Sequence, residues 1–191
     1  MKHIKQILGI LFILLIDISL VAQDTIMEKS PKQFTFEAGY RRNISSGFVN
    51  KADNGFNLSA EVAWQVSGFH KKSAVYFGVP LGYNYSMSNS VNDQNTSTLF
   101  YGWIVRHEIG KNKKYTPFAG YGLLLNQFRI DNTDGSVFGH QTRFEFGINK
   151  HLKKKSYLFI KIEYSFARFP SLGNSTSNKI HFIEIKTGIR I

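Results

Sequence analysis

The feature that most constrains this chain is a strict period of two, clearest from Lys179 to Ile191. Ile191, Ile189, Thr187, Ile185, Ile183 and His181 share one parity, while Arg190, Gly188, Lys186, Glu184, Phe182 and Ile180 share the other. Successive side chains of an extended strand point to opposite sides, so this is a strand with one mainly apolar face and one face rich in charge. The helical period of 3.6 would scatter both sets around the axis. The pattern runs to the last residue, as expected of a strand that closes a sheet.

Seven stretches upstream repeat it. Phe34, Phe36, Ala38 and Tyr40 alternate with Thr35, Glu37, Gly39 and Arg41; Phe56 to Val66 alternates with Asn57, Ser59, Glu61, Ala63 and Gln65. Val75 to Tyr85 alternates with Ala74, Tyr76, Gly78, Pro80, Gly82 and Asn84. The fourth stretch, Leu99 to Ile109, sets Arg106 and Glu108 on its polar side, but Phe100 and Ile104 share that side. The fifth, Tyr115 to Phe128, is apolar on both sides at Leu123-Leu124-Leu125, and Pro117 limits ladder pairing near its start. Thr142 to Ile148 alternates with Gln141, Arg143, Glu145, Gly147 and Asn149, and Leu158 to Phe166 with Phe159, Lys161, Glu163 and Ser165. With the closing strand these predict an all-β chain of eight strands.

The first residues are different in kind. Lys2 and Lys5 precede an apolar run from Ile7 to Ile16, and Asp17 leads to Leu20-Val21-Ala22. A basic start, a short apolar run and a small-residue exit describe a secretory signal peptide, expected over 1–22 with cleavage after Ala22. The run is too short for a membrane-spanning helix. Residues 23–32 then read as a polar N-terminal tether, and 33–191 as one β domain. The absence of cysteine excludes disulfides, thiolate sites and a lipid-anchored N-terminal Cys.

The connections between strands alternate long and short. The three short ones, with the adjoining Lys150, hold nine lysines. With an even number of antiparallel strands, that alternation puts both termini and every short turn on one side. The chain thus resembles the small eight-stranded outer-membrane barrels of Gram-negative bacteria, similar to the OmpA and OmpX transmembrane domains and the porin-family outer membrane β-barrel group. The resemblance covers Gln33 to Ile191 and implies an antiparallel up-and-down transmembrane barrel in the outer membrane. It also implies a periplasmic tether and short turns, and assembly machinery that engages the C-terminal strand. Ile191 stands where that family usually ends in Phe.

A secreted lipocalin-like carrier also has eight alternating strands, with the apolar face turned inward. The polar face here argues for the membrane version, because it is Gly, Ser, Asn and matched charges and not a lysine-rich solvated surface. Trp64, Tyr83, Tyr85, Trp103 and Tyr164 on the apolar face fit aromatic girdles. The polar parities carry Glu37, Glu61, Glu108, Glu145, Glu163 and Glu184 against Arg41, Arg106, Arg143, Lys161, Lys186 and Arg190. An eight-stranded barrel has room inside only for side chains. Six acids and six bases on neighbouring strands are therefore expected to pair and plug the lumen, the alternative for strand-end residues such as Arg41 and Arg190 being simple contact with water.

Other chemistry is thin. The net charge of +11, about +10 without the leader, sits mainly in the short turns. Without interleaved aromatics it predicts contact with lipid head groups and not with nucleic acid. His140 and Thr142 faintly resemble the His-x-Ser pair of lipid A deacylase barrels, but no carboxylate shares their face to orient a base. Asp131, Asn132, Asp134 and Gly135 read as an ordinary turn, lacking the closing Glu of a calcium loop. His3, His70, His107, His151 and His181 have no metal spacing, and no cofactor motif is present. The long connections, chiefly Ser86 to Thr98 and Arg168 to Asn178, remain as candidate binding segments for an extracellular ligand. The functional expectation is a non-catalytic outer-membrane barrel, with a small-solute channel, a lipid A-modifying enzyme and a soluble carrier as alternatives.

Overall fold

The computed structural model describes residues 32–44, 52–67, 73–88, 95–110, 114–130, 135–152, 156–169 and 178–191. The leader, the tether as far as Pro31, most of the lysine-rich turns, the Asp131 to Asp134 turn and the centres of the long connections lie outside the described residues. Eight strands follow in order: β1 (Lys32–Asn43), β2 (Ala52–Ser67), β3 (Ser73–Ser88), β4 (Thr96–Ile109), β5 (Tyr115–Ile130), β6 (Ser136–His151), β7 (Tyr157–Phe169) and β8 (Asn178–Arg190). Each pairs antiparallel with its sequence neighbours, and β8 pairs with β1 to close a barrel. The seam is finished by a reciprocal pair of backbone bonds between Phe34 and Ile191, each N–H donating to the other's carbonyl at 2.8 Å.

Register fixes the shape. Starting at Phe36, opposite residues run through Ala60, Leu81, Tyr101, Leu125, His140 and Arg168 to Lys179, ten residues before Ile189, the direct partner of Phe36 on β8. A stagger of that size for eight strands tilts them by about 40° and leaves an interior that side chains alone can fill. Even β1, with 12 residues, then rises about 30 Å along the axis, enough to cross an apolar band.

The barrel is inverted relative to a soluble protein. Its exposed side chains include Phe36, Leu58, Leu81, Leu125, Phe146, Ile160, Ile162 and Ile185, while its buried ones include arginines, lysines and glutamates. Exposing that much contiguous apolar surface is favourable only where the solvent is lipid. The fifth strand extends two residues beyond the expected Phe128, and its ambiguity resolves with Leu124 inside and Leu123 and Leu125 outside. Trp103 lies mid-strand and not at a girdle, stacked 6.4 Å from Phe77 and edge-on to Tyr121. The β3–β4 pairing passes from Gly78–Ile104 to Leu81–Tyr101, skipping the position of Pro80, which has no N–H to donate.

Candidate functional site

Lumen side chains come from alternate residues of every strand, so the site is built by parity. All twelve charged residues of the polar parities lie inside, none more than 8% exposed. Burying so many charges is tolerable only where each meets its opposite.

Register sets up an unexpected problem. Directly opposed residues on β6, β7 and β8 carry like charge: Glu145 faces Glu163, which faces Glu184, and Lys161 faces Lys186. Neighbouring strands still supply partners, in register only where Arg41 faces Glu184 and elsewhere from the adjacent level. Compensation comes from stacking, because the acidic and basic rows sit two residues apart along each strand. Lys161 Nζ lies 2.8 Å from Glu145, 2.7 Å from Glu163 and 2.6 Å from Glu37 of β1. Lys186 Nζ lies 2.6 Å from Glu163 and 3.1 Å from Glu184.

The network then crosses the lumen to strands that do not touch. Arg106 of β4 donates two parallel bonds to Glu61 of β2, at 2.8 and 2.9 Å, and its Nε donates to Glu145 of β6 at 2.7 Å. This fork geometry is the strong form of the pair. Ser59 donates to Glu37 at 2.6 Å. Arg143 is poorly served, with one oxygen of Glu163 at 3.7 Å and no hydrogen bond from Nε or Nη2.

Separate arrangements fill the two ends. Towards the short turns, Arg190 Nη1 donates to Glu108 at 2.7 Å and to Asn149 at 3.2 Å, and its Nε donates to Thr35 at 3.2 Å. Its guanidinium also lies 5.4 and 5.2 Å from the rings of Phe118 and Phe159. Towards the long connections, Arg41 lies 3.3 Å over the Phe182 ring and 3.9 Å from Glu184. Neither arginine is open to water, so the alternative of wetted strand ends does not hold for them: aromatic side chains of the same parity cover both. Nearer the long connections, Phe128, Ala167, Phe169, Ile180 and Phe182 form a buried apolar cluster.

Glycines supply the space for these side chains. A Cβ on Gly120 would come within 2.8 Å of Glu145 Oε1, and one on Gly139 within 2.4 Å of the Phe169 ring. The apolar cluster and the polar helpers Thr35, Ser59 and Asn149 escaped sequence reasoning. The one signal that points to them is shared parity with the charges. Phe100 and Ile104, the blemish on β4, are lumen filling of this kind.

No family model matches the sequence, and no curated protein sequence matches it. Solved structures do. The chain superposes on neisserial surface protein A with a TM-score of 0.63 and 15% identity, covering 84% of this chain and 96% of that one. It has the fold of the small outer-membrane barrels. The outer membrane enzyme PagL matches with a TM-score of 0.51 and 12% identity, over 81% of this chain and 97% of that one. At such identities the likeness is one of fold, so the barrel's chemistry must be read from its own residues. His140 and Thr142 both face outward, with Arg168 opposite His140, and every carboxylate among the described side chains points into the lumen. Among the described residues no group of His, Asp and Glu is placed to hold a metal ion.

Proposed function

We propose that this chain is an integral outer-membrane barrel, neither an open pore nor an enzyme, that displays its long connections at the cell surface as binding segments. The observation that carries this reading is Lys161. Its ammonium group touches three carboxylates at 2.6 to 2.8 Å in the middle of the lumen. A solute on the barrel axis must break several charge-assisted contacts in a site with little water to replace them, which makes steady permeation unfavourable. A hydroxyl nucleophile needs a base and a group to orient it. The outer face near His140 offers no carboxylate among the described residues. What remains free to vary is the set of long connections, which a rigid charged core holds at one end of the wall.

Two measurements test this. Purified protein in planar bilayers is expected to show no steady conductance, and stable porin-sized openings would overturn the plug. Protease added to intact cells is expected to cut within Ser86 to Thr98 and to spare Lys111 to Lys114. The reverse pattern would invert the orientation and remove the surface-binding role.

A further inference from the structure

The outer wall of β6, β7 and β8 carries its own row of basic side chains. His140 is directly opposite Arg168, and Arg168 is directly opposite Lys179, so three basic residues stand side by side across three strands. All three are exposed. Like charges directly opposed in a sheet destabilise it unless something neutralises them. In the lumen a second row of opposite sign does this, but among the described residues the outer wall has no such row. Every described side-chain carboxylate faces inward, and the side chains of Arg168 and Lys179 form no ion pair or hydrogen bond among the described residues.

We propose that this row binds the phosphate groups of a phosphorylated saccharolipid head group in the outer leaflet. The sign of the ligand follows from the lack of a countercharge among the described residues. Its lipid character follows from position, because the row lies at the long-connection edge of the apolar belt. Leu125 is directly opposite His140, and the outward neighbours of Arg168 and Lys179 on their own strands include Phe166 and His181. His181 is held against the wall by the Tyr164 hydroxyl at 2.6 Å. Beside it, between β8 and β1, an open groove of about 580 Å³ joins Arg42 to Tyr40, Ile183 and Ile185. A cationic edge above an apolar groove suits an amphiphile with phosphate at its head and acyl chains below. A soluble polyanion would gain nothing from the apolar part. Arginine grips phosphate by paired, charge-assisted hydrogen bonds, and lysine adds a point charge beside it. The leaflet rests on the reading in which the long connections face outward. The binding itself does not.

The test uses the full mature chain in non-ionic detergent, where the direction of insertion plays no part. Diphosphorylated lipid A, its dephosphorylated form, phosphatidylglycerol and inorganic phosphate are titrated separately, and the melting temperature of the barrel is followed. The diphosphorylated lipid is expected to raise it, and the other three to have little effect. The double variant Arg168→Gln, Lys179→Gln is expected to need about tenfold more of that lipid for the same rise. Without lipid it should melt no lower than wild type, because repulsion is relieved. This separates a lost site from a damaged fold. Lys114→Gln, Lys150→Gln, which neutralises the opposite edge, should respond as wild type does. An equal response to the dephosphorylated lipid, to phosphatidylglycerol or to free phosphate would overturn the proposal. So would unchanged lipid dependence in the Arg168, Lys179 variant, or loss of it in the Lys114, Lys150 variant.

Discussion

A row of acids and a row of basic side chains lie on opposite faces of the same three strands, five residues apart along each, and their surroundings differ completely. Inside, Glu145, Glu163 and Glu184 form an acidic row with Lys161 and Lys186 stacked against it. Outside, His140, Arg168 and Lys179 form a basic row with no acidic neighbour among the described residues. The inner row cannot wait for counterions, since it is sealed from solvent and each charge would cost several kcal/mol unpaired. The outer row can, since its side chains reach the edge of the barrel where an anion can meet them. Repulsion along a row is thus tolerated in both places, but the compensation is built into the chain in one and left to the surroundings in the other.

Four substitutions probe that difference, each read as the free energy of reversible urea unfolding from lipid vesicles. Lys161→Met should be the most damaging, about 5 kcal/mol, because it leaves Glu37, Glu145 and Glu163 facing one another with one cation fewer. Glu145→Gln should follow at about 3–5 kcal/mol, since Arg106 and Lys161 each keep another carboxylate. Combining the two should cost less than their sum, as expected of groups in direct contact. Arg143→Met should cost only about 1 kcal/mol, although Arg143 is as buried as Arg106, because its ion pair with Glu163 is long. Lys179→Gln, measured in neutral lipid, should fall within about 0.5 kcal/mol of wild type. If Arg143→Met proved as costly as Glu145→Gln, burial and not pairing geometry would govern the lumen. If Lys179→Gln were strongly destabilising in neutral lipid, the outer row would have an internal partner and the contrast would collapse.

The parts of this arrangement that were legible in the sequence are those that depend on one strand at a time. Strand number, the two faces of each strand and the assignment of twelve charges to one face all follow from alternation, which each segment carries within itself. The ambiguous spots, Leu123 to Leu125 and the Phe100–Ile104 pair, were ambiguous because a filled lumen accepts apolar side chains among its charges. Parity could not show that Phe182 covers Arg41 or that Phe118 and Phe159 flank Arg190, so wetting of both arginines stayed open as an alternative. Those contacts depend on which strand segments share a level.

By itself, then, the sequence determined that this chain makes eight two-faced strands, with twelve matched charges on the polar side. Only the tertiary structure decided who meets whom. The stagger that closes the barrel opposes Glu145 to Glu163 and Lys161 to Lys186, turning in-register neighbours into like charges. It also brings Arg106 to Glu61 and Glu145, which lie on strands that share no backbone hydrogen bond with β4. A period of two sets the direction of each side chain, whereas the level at which it sits is set by the summed register of all the strands around the barrel.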